Sequence, residues 1–107
     1  MLNGFYSQHW TDSDGNPAGG CSGGTGFTIS WQNGPLGRDE KRTVPNGAFV
    51  EDVISATIDR IQFYQNSKFK SVFNARALTS LKAALNSLIN KRTADREARE
   101  VEGTHEE

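Results

Sequence analysis

The chain has 107 residues, 11.8 kDa, 35% hydrophobic residues, one cysteine and a formal net charge of −1. That length suits a single domain over 1–107 with a modest core, and is short for an enzyme that must also enclose its substrate, so its surface is expected to need a partner subunit. Cys21 alone excludes an internal disulfide, and no apolar run approaches a membrane span or signal-peptide core; the expectation is a soluble, intracellular protein.

Nine of the eleven glycines fall between Gly4 and Gly37. This divides the chain into a turn-rich first part, about 1–45, a helical part, about 46–103, and a short tail, 104–107. Phe5, Tyr6, His9 and Trp10 form an aromatic cluster, and Asp12-Ser13-Asp14-Gly15-Asn16-Pro17 follows as a strong turn signal. The run Gly19 to Gly26 resembles a phosphate-cradling loop only superficially, since it lacks the lysine and leads into a strand. It reads instead as a flexible hairpin connection, or as a loop whose bare backbone closes against something. Phe27, Ile29 and Trp31 then alternate with Thr28, Ser30 and Gln32, the period of a half-buried strand, ended by Asn33-Gly34-Pro35. Two short aromatic strands predict a small antiparallel sheet, with a third strand at Arg42 to Val44.

A first helix is predicted after Pro45-Asn46-Gly47, with Asn46 as its cap, Glu51 and Asp52 at its positive end, and Val50, Val53, Ile54, Ile58 and Ile61 as its apolar stripe. It should end at about Gln65 or Asn66, followed by a loop holding Phe69 and Phe73. Asn74 can cap a second helix with the stripe Leu78, Leu81, Leu85, Leu88 and Ile89, packed antiparallel on the first as a helical hairpin with apolar surface to spare for a second subunit. The fold class is α+β. The arginine segment either extends this helix or forms a short one capped by Thr93, with Gly103 as the stop.

Charge is unevenly distributed: residues 60–99 carry +7 and residues 100–107 carry −4. A protein that binds duplex DNA keeps a broad basic surface without an acidic tail beside it, so a compact anionic ligand fits better. Arg92, Arg96 and Arg99 fall at i, i+4 and i+7, one face of a helix. Interspersed Asp95, Glu97 and Glu100 allow an ordinary solvated helix, yet Arg92 and Arg96 repel at i, i+4, and a bound anion would relieve that. The planar guanidinium forks onto phosphate with two parallel hydrogen bonds. Tyr64, Phe69 and Phe73 lie near Lys68, Lys70, Asn74 and Arg76; the two phenylalanines suit a core, and Tyr64, with its polar tip, suits a pocket edge where a base can stack.

Hydrolytic machinery finds little support. A triad of Ser22 or Cys21 with His9 would need an orienting carboxylate such as Asp12 or Asp14, and the spacing does not favour it. Cys21, His9, His105 and scattered carboxylates have no paired metal-ligand spacing, so no metal and no cofactor are expected.

Two stretches carry a family resemblance: Gly26-Phe27-Thr28-Ile29-Ser30-Trp31-Gln32-Asn33-Gly34-Pro35-Leu36-Gly37 through Asn46-Gly47-Ala48-Phe49-Val50-Glu51-Asp52-Val53-Ile54, and Arg92-Thr93-Ala94-Asp95-Arg96 to Val101-Glu102-Gly103-Thr104-His105. They resemble the bacteriophage Thoeris anti-defence proteins of the first described type, which share a helical-hairpin domain with the phage anti-CBASS sponges. The resemblance covers most of the chain from about Phe5. It implies a non-enzymatic sponge that sequesters a cyclic ADP-ribose isomer, such as gcADPR, intact in the cytoplasm of the infected host. It also implies a homo-oligomer, dimer or hexamer, with pockets where subunits meet and, in some members, a separate site for cyclic oligonucleotides. A sponge for cyclic di- or trinucleotides is the alternative; an enzyme cleaving the signal, or a structural oligomerising phage protein, are the rivals of other classes. On the matching motifs the resemblance assigns Arg92 and Arg96, on one strip with Arg99, to the diphosphate. It assigns Tyr64 to the adenine and Asn74 to a base or ribose, with Gln32 and Asn33 either lining the pocket from the sheet side or serving a purely structural turn. Glu100 stands where the family has a glycine.

Overall fold

The computed structural model describes residues 4–34, 36 and 44–98, the last four as backbone only. Three strands, β1 (Tyr6–Thr11), β2 (Pro17–Gly24) and β3 (Phe27–Trp31), form an antiparallel sheet in the order β1-β2-β3. Two helices follow, α1 (Val50–Gln65) and α2 (Val72–Ala98), and make the helical hairpin of an α+β chain.

The glycine run expected as a connection is itself the central strand. Glycine is a poor strand former in isolation. At Gly20 the pairing requires it: a Cβ there, where φ is +143°, would run into the backbone carbonyl oxygen of Gln8, whereas one on Gly23 would sit 2.6 Å from the hydroxyl of the exposed Tyr6 side chain, which can turn aside. The outer strands thus lie against a strand of which half is glycine and the rest small residues. Pairing Tyr6 with Gly23 and Gly24 with Phe27 aligns Phe5 with Phe27, whose rings stack at 6.4 Å.

Asp12 closes the first hairpin, its Oδ1 accepting the amides of Asp14 at 2.9 Å and Asn16 at 3.0 Å. Thr25 and Gly26 close the second, Gly26 at φ +91°. The expected third strand lies largely outside the described residues, since 41–43 are among those not described. β3 instead gains a parallel bridge to Ala48, whose N–H donates to the Ser30 carbonyl at 2.7 Å and whose carbonyl accepts from Gln32 N at 3.0 Å.

By contacts the described residues form two compact units, one running through Phe49 and resuming at Arg92, the other Val50–Lys91. In the second, Val53, Ile54, Ile58 and Ile61 of α1 are half-buried, as are Leu81, Leu85 and Leu88 of α2, while Leu78 is buried. No residue of α1 is buried, and Ile89 is exposed. Two expected caps differ. Asn46 does not cap α1, since its side chain is spent on Asn33. Ser71, not Asn74, caps α2: its Oγ accepts the Asn74 amide at 3.0 Å, the bond from N-cap to third residue. Phe73 therefore belongs to α2 rather than to the loop, and Thr93 lies inside the helix.

Candidate functional site

Gln32 and Asn33 sit where β3 ends. Gln32 is only 4% exposed, and its carboxamide is committed to backbone: Oε1 accepts the amides of Asn46 at 2.9 Å and Gly47 at 3.2 Å, and Nε2 donates to the carbonyl of Gly34 at 3.0 Å. Asn46 answers with its own carboxamide, accepting the Asn33 N–H at 2.8 Å and donating to the Asn33 carbonyl at 3.0 Å. A Cβ on Gly47 would lie 2.5 Å from the carbonyl carbon of Trp31, so only glycine passes there. The polar groups of Gln32 thus hold the loop. Asn33 is exposed, with its backbone gripped by Asn46.

The latch ends at Phe49, and on the ring of Phe49 rests Arg92, its guanidinium carbon 5.0 Å from the centroid. Arg92 is half-buried within α2. A cation on a ring face in this range, partly withdrawn from water, gains on the order of 1 kcal/mol. Arg96 lies on the same helix, its side chain beyond what the structure describes, and Arg99 lies outside the described residues.

Tyr64 and Asn74 belong to the hairpin. Tyr64 is 37% exposed; Arg60 Nε donates to its hydroxyl at 3.1 Å, and the Arg60 guanidinium carbon lies 5.0 Å from its ring and 5.1 Å from that of Phe63. Asn74 Nδ2 donates to Gln65 Oε1 at 3.1 Å and to the Phe69 carbonyl at 3.2 Å, and the same Gln65 oxygen accepts the Ser71 amide at 2.8 Å. Asn74 is thereby fixed to the end of α1. Phe69 and Phe73, the expected core members, are instead exposed, beside Lys68 at 5.5 Å and Arg76 at 5.8 Å.

The sheet holds one further polar chain. The Trp31 indole N–H donates to the buried Ser22 Oγ at 2.9 Å, Ser22 and Ser7 hydroxyls lie 2.6 Å apart, and Ser7 Oγ is 3.2 Å from His9 Nε2. Ser22 is linked to His9 through Ser7 rather than directly, and Asp12 faces its own turn. Among the described residues no cluster of His, Cys, Asp and Glu could hold a metal ion.

No protein-family model matches the chain. A curated phage protein, "Thoeris anti-defense 1" of Bacillus phage SBSphiJ7, is 48% identical to it over 79 residues, 74% of this chain and 52% of that protein. The chain belongs to the Thoeris anti-defence family. It spans about half the length of that Thoeris anti-defence relative.

Three residues of this Thoeris anti-defence chain have structural partners that its sequence did not single out: Phe49, Arg60 and Gln65. The i, i+4 spacing of Arg60 and Tyr64 is an available signal for a ring-cation pair. Nothing local marks Phe49 or Gln65, whose partners are set by the turn of the chain around them.

Proposed function

We propose that the chain is a phage anti-defence protein that binds a cyclic ADP-ribose isomer and holds it unaltered, in the cytoplasm of the infected bacterium. The observation that carries this reading is the 48% identity to Thoeris anti-defense 1. The chemistry of its residues agrees with it. Arg92 seated on Phe49 is a partly desolvated guanidinium able to fork onto a diphosphate, and Tyr64 offers a ring against which an adenine can stack.

The reading includes a site shared between subunits, to which different copies of the chain contribute. Exposed Phe63, Phe69, Val72 and Phe73 on the hairpin supply apolar surface for such an assembly, a dimer or a hexamer. No helix among the described residues is long and apolar enough to cross a membrane.

A sponge acts by mass action, so it must bind at about nanomolar Kd or tighter and release slowly. The deciding experiment titrates gcADPR into the protein by calorimetry, then heats the complex and chromatographs the released compound. Tight binding with intact ligand is expected. Cleaved ligand would make the protein an enzyme, and absence of heat would remove this ligand; cyclic di- and trinucleotides run in parallel distinguish the alternative sponge.

A further inference from the structure

Arg92 carries the phosphate chemistry of the proposed reading, but a long side chain on a helix loses much rotational freedom when it docks on an anion. The backbone leading to Phe49 is held at three successive residues: Asn46 and Gly47 by Gln32, and Ala48 by both Ser30 and Gln32, before α1 begins at Val50. Phe49 is half-buried, and its ring faces the Arg92 guanidinium at 5.0 Å.

We infer that Phe49 is a positioning residue for Arg92: its ring holds the guanidinium at the orientation from which it grips a diphosphate. This inference rests on the reading of Arg92 as a phosphate contact. A ring attracts a guanidinium through its flat face, whereas the five N–H donors lie in the plane and point outward from the edge, so the two kinds of contact use different parts of the side chain. Partial burial strengthens the attraction between cation and ring quadrupole. Gln32 then affects ligand binding without touching ligand, through the loop that delivers Phe49.

The test uses the full chain with position 49 occupied by phenylalanine or by its mono-, di- and trifluorinated forms, which keep the shape and drain the ring quadrupole step by step. Affinity for gcADPR is measured by calorimetry beside Phe49→Trp and Arg92→Ala, and the Arg92 Nε proton is followed by NMR in the unliganded protein. We expect affinity to fall stepwise with fluorination, to roughly tenfold weaker at the trifluorinated ring. We also expect retention of affinity in Phe49→Trp, and a ring-current shift of the Arg92 Nε proton in the wild-type chain. A space-filling ring would give a flat series. A flat series alongside a weakened Arg92→Ala overturns the positioning role and leaves the sponge reading standing, as does an Arg92 proton without a ring-current shift. Absence of wild-type binding, or an Arg92→Ala variant that binds as wild type, overturns the reading of Arg92 itself.

Discussion

The carboxamide oxygen of Gln65, the last residue of α1, accepts a hydrogen bond from the side-chain amide of Asn74 in the first turn of α2 at 3.1 Å, and also accepts the backbone amide of Ser71. One oxygen thus ties the end of one helix to the start of the next and orients a candidate ligand contact. Replacing Gln65 by leucine keeps bulk and strands two donors, and we expect a loss of about 1 to 2 kcal/mol in urea denaturation. If Asn74 touches ligand, the affinity for gcADPR falls in the same variant; an unchanged isotherm together with lower stability would confine Asn74 to the hairpin.

Arg92→Lys separates charge from fork. Lysine keeps the positive charge but presents a point donor without the planar edge. We expect Arg92→Lys to bind gcADPR more weakly than wild type and Arg92→Ala to lose about 2 kcal/mol, roughly thirtyfold, in calorimetry. The same loss is expected for Arg96→Ala. Equal affinities for all three would exclude the arginine face from the site.

Gln32→Ala removes the acceptor that satisfies the Asn46 and Gly47 amides and opens a space where the side chain is 4% exposed. A cost of about 2 kcal/mol is expected, which in a chain of this size lowers Tm by roughly 10 °C in a circular-dichroism melt. Wild-type melting would mean that the loop is held by the Asn46 clamp alone.

Two glycines with positive φ make an internal control. A Cβ on Gly20 meets the Gln8 carbonyl oxygen, whereas one on Gly26 meets nothing within 4 Å. Gly26→Ala therefore carries only the backbone cost, about 1 kcal/mol, while Gly20→Ala adds steric overlap and is expected to cost on the order of 3 kcal/mol. Comparable melting of the two variants would contradict the close approach of β1 to β2.

The exposed aromatics of the hairpin bear on assembly. Phe69 and Phe73 are 66% and 72% exposed. Light scattering is expected to give a mass at a multiple of 11.8 kDa, and Phe73→Glu to reduce it if that ring is covered by another copy. A monomer in the wild-type chain would remove the shared site.

The elements with a regular pattern are legible in the order of residues alone. β3 alternates, α1 repeats its aliphatic residues every three to four positions, and the end of α1 is marked by Asn66 and Ser67. β2 is not legible, because strand propensity is read from side chains, and half of its eight residues are glycine while the rest are small; at Gly20 the approach of the Gln8 carbonyl leaves no room for a side chain. The caps mislead for a related reason. Asn46, Ser71 and Asn74 all have side chains able to cap, and which one does so depends on competing partners, Asn33 for Asn46 and Gln65 for Asn74. Among the candidate site residues, the arginine spacing is visible as a helical face through Ala98, whereas the seat of Arg92 on Phe49 joins positions far apart in sequence and leaves no local trace.

The bareness of β2 has an evolutionary side. Every substitution at Gly20 adds volume to a place already occupied by backbone, so this position has no neutral neighbours in sequence space, while Gly26 a short way on can drift at modest penalty. Diversification of this sheet is channelled away from Gly20 and from the Ser7, Ser22 and Trp31 side chains that bond across it, toward the exposed positions of the outer strands.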